Sequence, residues 1–389
     1  MNTGKYVFTQ IFEFISYNDF IKCVKKYDGD YKTRHFSCWK QLLCMAFGQL
    51  THRESLSDTI MCIQANTSKL YHLGIGSAIS KSTLSQANEK RDWRIYQDFA
   101  MMLIGQAKKL YVGDNQLEID IKNNVFAIDS STIDLCLSVF PWAKFRKTKA
   151  AIKLHTMIDL KTSIPEFIHI SDGRMHDVKI LDMITFVPDS FYVMDRAYLD
   201  FGQLYRIHTS SAFFVTRSRS RFDFESFESK EVNKSIGVQS DQAIRPKNFY
   251  PANKCPGKLR RIVYYDQEQD KTLIFLTNNF ELEAQEIAML YKHRWFIELF
   301  FKWIKQHLKI KSFWGTSPNA VKTQIWIAIS VYVIVLILKK KLKLNQTIYE
   351  ILQVLSINIL DKEPIKHLFN KPNIKNFNER LYNQLILFE

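Results

Sequence analysis

The chain has 389 residues, 46% of them hydrophobic and 14% aromatic, and a formal charge of +15. That length suits one large domain with an insertion or two to three smaller ones, and 12 Gly with 9 Pro argue against long disordered linkers. A cationic excess on this scale draws polyanions, nucleic acid first and acidic membrane surface second, while six cysteines without a C-x-x-C pair exclude the common zinc and redox patterns.

In chain order, the opening residues lack the basic-then-apolar layout of a signal peptide, and a reducing cytoplasm is the expected compartment. Residues 1–118 read as helical, with few breakers between 36 and 63. After a loop holding Gly74 and Gly76, residues 81–88 form a polar helix that Ser82 is expected to cap. Short helices ending in such a polar helix suit a helix-turn-helix DNA reader; an ordinary supporting bundle is the alternative.

From about 120 the pattern turns to strands. Residues 124–129, 152–160 and 164–170 are predicted strands, the last two joined by Lys161-Thr162-Ser163, a turn fit only for a hairpin. A helix over 176–184, a strand over 191–195, a helix over 201–208 and a strand over 212–216 follow. Three antiparallel strands and then alternating helices and strands predict a mixed α/β sheet in the ribonuclease-H-like order. Residues 217–285, rich in Arg and Lys, read as a β-rich insertion with strands near 261–265 and 272–277. Residues 281–310 are predicted as one helix. The apolar run 325–338 is shorter than the ~18–20 residues of a membrane span and reads as a core helix. The expected domains are a helical DNA-binding domain at 1–118, a catalytic domain at 119–340 interrupted at about 217–285, and a helical tail at 341–389. Ile348, Ile351, Leu352, Val354 and Leu355 in that tail are a candidate dimer surface.

Three carboxylates stand out. Asp129 follows the apolar run Val125-Phe126-Ala127-Ile128, and Asp195 follows Phe191-Tyr192-Val193-Met194. A carboxylate at a buried strand end is costly unless something pairs with it, and a divalent metal would. Hard oxygen ligands favour Mg²⁺, with Mn²⁺ as a substitute. The alternative for Asp129 is a turn cap with Ser130-Ser131-Thr132. On a continuous helix at about 100° per residue, Tyr291, Arg294, Glu298, Lys302, Lys305 and Lys309 share one narrow face. That face sets one carboxylate among cations, although a solvated Glu298–Lys302 pair gives the same pattern.

Tyr291, Arg294, Glu298 and Lys305, separated by two, three and six residues, resemble the Y-R-E-K signature of DD(E) insertion-sequence transposases. Asp129 in Ala-Ile-Asp-Ser-Ser and Asp195 in Val-Met-Asp-Arg-Ala-Tyr resemble that family's two catalytic aspartates. The 103 residues from Asp195 to Glu298 leave room for its β-strand insertion. The resemblance covers about residues 120–340. It implies a ribonuclease-H-like core in which Asp129, Asp195 and Glu298 bind two Mg²⁺. Water would cut at each element end, and the freed 3′-hydroxyl would attack target DNA, in some relatives after forming a hairpin. Tyr291, Arg294 and Lys305 would contact the DNA backbone, supported by Lys302 and Lys309. The implied partners are double-stranded DNA (terminal inverted repeats and target) and a second copy of the chain, with no membrane. Hairpin-forming relatives can stack a flipped base on a Trp in the insertion. No Trp lies between Trp142 and Trp295 here, so Phe249 or Tyr250 would have to substitute. A same-fold nuclease without strand transfer, and a DNA-binding derivative without cleavage, are the alternatives.

Overall fold

The computed structural model describes residues 4–218, 223–247, 253–255, 257–307 and 313–369. The chain forms two compact units, one of residues 1–110 with 307–389 and one of residues 111–306.

The first unit is helical: α1 (Val7–Phe12), α2 (Tyr17–Lys26), α3 (Cys38–Leu50), α4 (Leu56–Gln64), α5 (Lys81–Lys90) and α6 (Arg94–Leu110). Ser16, Ser37, Ser55 and Ser80 cap α2 to α5, each accepting from the amide three residues on. The cap of α5 is therefore Ser80, two residues before the expected Ser82, which lies inside the helix.

The same unit contains a helix the sequence reading assigned to the catalytic domain. Pro318–Leu342 runs along α6 and also packs on α3 and α5. It is longer than the apolar run 325–338 because Ser317 caps it and Pro318 occupies its first turn. By length and composition it could cross a membrane, yet 94% of its most apolar window is buried in the fold. A helix apolar on every side belongs in a core, which is where this one lies. Ile348–Asn358 and Ile365–Phe369 also belong to the unit. Of the candidate dimer surface, Ile351, Leu352 and Leu355 are buried within it.

The second unit is built on a ten-stranded mixed sheet. Its strands are β1 (Val125–Leu135), β2 (Lys144–Arg146), β3 (Lys149–Asp159), β4 (Ile164–Asp172), β5 (Phe191–Met194), β6 (Phe213–Arg217), β7 (Phe224–Lys230), β8 (Val238–Pro246), β9 (Leu259–Asp266) and β10 (Lys271–Thr277). β4, β3 and β1 pair antiparallel in that order. β5 then lies parallel to β1, and β6 parallel to β5. This is the expected ribonuclease-H-like order. The insertion forms the far side: β10 pairs antiparallel with β6, and β9, β8 and β7 continue outward. Gly237 allows the turn into β8, with φ +90°, and a Cβ there would stand 2.7 Å from the Tyr265 carbonyl.

Alternation along the central strands divides the sheet's faces. Phe126, Ile128, Tyr192, Met194 and Phe214 join one core cluster, covered by the 3₁₀ segment Asp177–Met183 and by α7 (Phe201–Thr209). The expected helix over 176–184 is thus a tighter 3₁₀ turn. α8 (Ala284–Lys292) packs on β5 and β6. α9 (Trp295–His307) follows it.

Candidate active site

Asp129 and Asp195 are neighbours by register. Ile128 pairs with Met194 across the parallel β1–β5 ladder, so the next residue of each strand is an aspartate. The apolar halves of both strands are fully buried and hold these ends in place. Asp195 opens a short 3₁₀ turn and accepts from the amide of Ala197 at 2.6 Å.

The expected single helix over 281–310 is broken. α8 ends at Lys292, and the chain turns through His293 and Arg294 before α9 begins at Trp295. At the turn the ladder tightens: Arg294 N–H donates to Tyr291, Phe296 N–H to His293 and Ile297 N–H to Arg294. The six residues expected on one exposed face are separated accordingly. Tyr291 is buried, its ring 4.9 Å from that of Phe275 on β10. The Arg294 guanidinium lies 5.7 Å from the Tyr291 ring centre. Lys302 is exposed. Lys305 donates to the Thr132 carbonyl of β1 at 2.8 Å, tying α9 to the strand that carries Asp129. Lys309 lies outside the described residues, as do Phe249 and Tyr250.

Arg294 is the centre of the constellation. Its Nη1 donates to Asp129 Oδ2 at 2.8 Å, and its Nη2 to Glu298 Oε1 at 2.6 Å. Glu298 therefore pairs with Arg294 and not with Lys302. The Arg294 Nε is buried without a hydrogen-bond partner among the described residues. Burial pushes the Asp129 carboxyl up to about 6, against the pull of Arg294 and of the Ser130 amide; the charges of Asp195 and Glu298 push in the same direction as burial. Asp195 and Glu298 thus both lie within electrostatic reach of Asp129.

As donors, the three carboxylates suit a hard divalent cation. Among the described residues, however, no three acidic, histidine or cysteine side chains converge closely enough to share one ion, and the Arg294 guanidinium spans two of the three carboxylates. A metal held by this set requires Arg294 to yield its place between Asp129 and Glu298.

Several polar residues near the site were not singled out from the sequence. On the opposite face of β1, Ser130 donates to Asp177 Oδ1 at 2.6 Å, and Lys153 donates to the same oxygen at 3.0 Å. His155 is fully buried opposite Ser130, and burial lowers its pKa to about 4. Tyr198 is buried close by, its hydroxyl without a hydrogen-bond partner among the described residues. Arg217, seen in the sequence only as one of many cations of the insertion, is exposed at the end of β6, the strand next to β5. The available signal was the His-Asp pair at 176–177 and the polar positions of β3, but only the strand register brings them together.

Comparison with known proteins agrees with this architecture. The family described as "Transposase DDE domain" matches residues 121–334, more than half of the chain, and a domain of unknown function, DUF4372, matches residues 3–76. The chain belongs to the transposase DDE domain family. It is 32% identical over 253 residues to a Sinorhizobium fredii protein named as the transposase y4zB, covering 64% of this chain and 68% of that one. It is 29% identical over 212 residues to a Geobacillus stearothermophilus protein named as the transposase for insertion sequence element IS5377, covering 53% and 54%. A Synechocystis protein named as a transposase for IS4SA is 26% identical over 304 residues, covering 75% and 81%. Membership makes the chain a transposase, a nucleic-acid-processing enzyme, and two of these relatives are named for insertion sequence elements.

Proposed function

We propose that this transposase cuts DNA at the ends of its element and joins the freed 3′-hydroxyls to target DNA, with Asp129, Asp195 and Glu298 as its catalytic carboxylates. The observation that carries this reading is their approach from two parallel strand ends and a helix, close enough for the charges of Asp195 and Glu298 to act on Asp129. Two Mg²⁺ ions, or Mn²⁺ in their place, would supply the charge that activates water and stabilises the leaving oxygen.

The protein's own part is to hold and to orient. Buried β1 and β5 fix the two aspartates, and the Lys305 contact holds α9 beside β1. Arg294, with two donors in a planar fork, is suited to a backbone phosphate once it leaves the carboxylates. Lys302 is exposed on the same helix and would add a phosphate contact. Tyr291 would serve from beneath, as the ring on which Arg294 rests, and not as an exposed DNA contact. The spacing of Tyr291, Arg294, Glu298 and Lys305 supports a place in the Y-R-E-K branch. Holding two element ends together calls for a dimer on DNA. The polar α5 and its neighbours are the proposed reader of the terminal repeats.

The test is cleavage of a labelled duplex carrying the element end, with Mg²⁺ and with EDTA, for wild type and Glu298→Ala. Metal-dependent nicking at the end, reduced on the order of a thousandfold (about 4 kcal/mol) in the variant with DNA binding kept, is the expected result. Binding without cleavage in Mg²⁺, or in Mn²⁺ in its place, would overturn the enzymatic reading.

A further inference from the structure

Asp129 and Ser130 are consecutive on β1 and face opposite sides of the sheet. The Ser130 amide donates to Asp129 Oδ1 at 2.7 Å, while Arg294 holds Oδ2. Ser130 is in turn held from the far face, where its hydroxyl donates to Asp177 at 2.6 Å. Asp177 is anchored by Lys153, whose ammonium also donates to the Met175 carbonyl at 3.0 Å. His155 stands 3.9 Å from the same Asp177 oxygen and is fixed on its other side by Ser171 at 2.9 Å. The buried Tyr198 ring closes the group next to Ser130.

This layer is costly as mere packing. The imidazole of His155 and the phenol of Tyr198 are buried beside an ion pair whose side chains keep only 13% (Lys153) and 24% (Asp177) of their exposure, so the first two are desolvated and the pair in large part. What Ser130, Lys153 and His155 share is Asp177, and through the Ser130 hydroxyl that carboxylate reaches the residue whose backbone amide donates to Asp129.

We propose that Asp177 is a positioning residue for Asp129, acting through Ser130 across the thickness of the sheet. The inference rests on Asp129 being a metal ligand. Outer partners of metal ligands fix their orientation, and their loss costs about 10- to 100-fold in affinity or activity. Asp177 itself touches neither metal nor DNA in this role. The competing view is that Asp177, the first residue of its 3₁₀ segment, only pins that segment to Lys153.

The experiment is calorimetric titration of the full chain with Mn²⁺ alone, for wild type, Asp177→Asn, Ser130→Ala and Glu298→Ala, with a thermal melt of each. The expected result is a loss of Mn²⁺ affinity of about tenfold in both Asp177→Asn and Ser130→Ala, with melting temperatures within about 4 °C of wild type. Wild-type Mn²⁺ affinity in Asp177→Asn, with or without a lowered melting temperature, overturns the proposal and leaves a structural clamp. An effect in Asp177→Asn that is missing in Ser130→Ala overturns the route through Ser130. Should Asp177→Asn not fold, Ser130→Ala decides alone: affinity as in wild type refutes the proposal. If wild type and Glu298→Ala both bind no Mn²⁺, the metal reading of the carboxylates has failed and this inference falls with it. That outcome is distinct from one in which wild type binds and Asp177→Asn binds equally well.

Discussion

Two arginines in the sheet unit bind carboxylates in opposite ways. Arg260, on β9, meets Asp241 of β8 with two parallel hydrogen bonds of 2.8 and 2.7 Å. Its Nη1 donates to the carbonyls of both Asn279 and Leu282, and both side chains are almost fully buried. Arg294 divides its two outer nitrogens between Asp129 and Glu298, leaves its Nε without a partner among the described residues, and faces a Glu298 side chain that is 57% exposed. The first pair is saturated, with every guanidinium nitrogen hydrogen-bonded, and ties β8 and β9 to the segment that leads into α8. The second is unsaturated and open on one side, which suits a group that must exchange partners.

The largest effect is expected at the saturated pair. Asp241→Ala or Arg260→Ala strands a buried charge and should lower stability by about 3–5 kcal/mol in urea unfolding, whereas replacing both by apolar residues of similar volume should come close to wild type. Arg294→Ala should cost less, about 1–3 kcal/mol, because water reaches Glu298. It should also drive the Asp129 carboxyl above about 6, since the cation that opposes its burial is gone, and carboxyl NMR titration reads this directly. A stability loss at Arg294 as large as at Arg260 would erase the distinction between the two.

Acidity gives a finer test. Asp129 titrates at about 6 in the fold against an ordinary 3.8, so its neutral form favours folding. That contribution is complete below about pH 4 and is lost as pH rises through about 6. His155, lowered to about 4 by burial, works in the opposite direction, losing stability as pH falls below 6.5. The Asp129 part is therefore read as the difference between wild type and Asp129→Asn. Because a metal needs the carboxylate, Mn²⁺ affinity should fall as pH drops through about 6. The smallest effect is at Lys302, where alanine should reduce the salt slope of DNA binding by about one with the melting temperature unchanged.

The strands that carry the site were legible because buried parallel strands are uninterrupted apolar runs, and a charged residue marks where each leaves the core. Asp129 and Asp195 were found on that signal. The break between α8 and α9 was not, because neither Gly nor Pro marks it; the 3₁₀ turn at His293-Arg294 is imposed by tertiary packing. The partners of Pro318–Leu342 were equally hidden, since a helix apolar on all sides has no preferred face to read. Asp177 and His155 depend on pairing register between segments that the sequence lists far apart.

The return of Pro318–Leu342 to the first unit bears on the order in which the molecule is made. The sheet unit has all of its residues once synthesis reaches 306, while the helices of the first 110 residues lack the long helix they pack around until after 342. During translation the later-encoded unit can fold first, and a chain stalled between the two points would carry a finished carboxylate site beside an unfinished helical bundle.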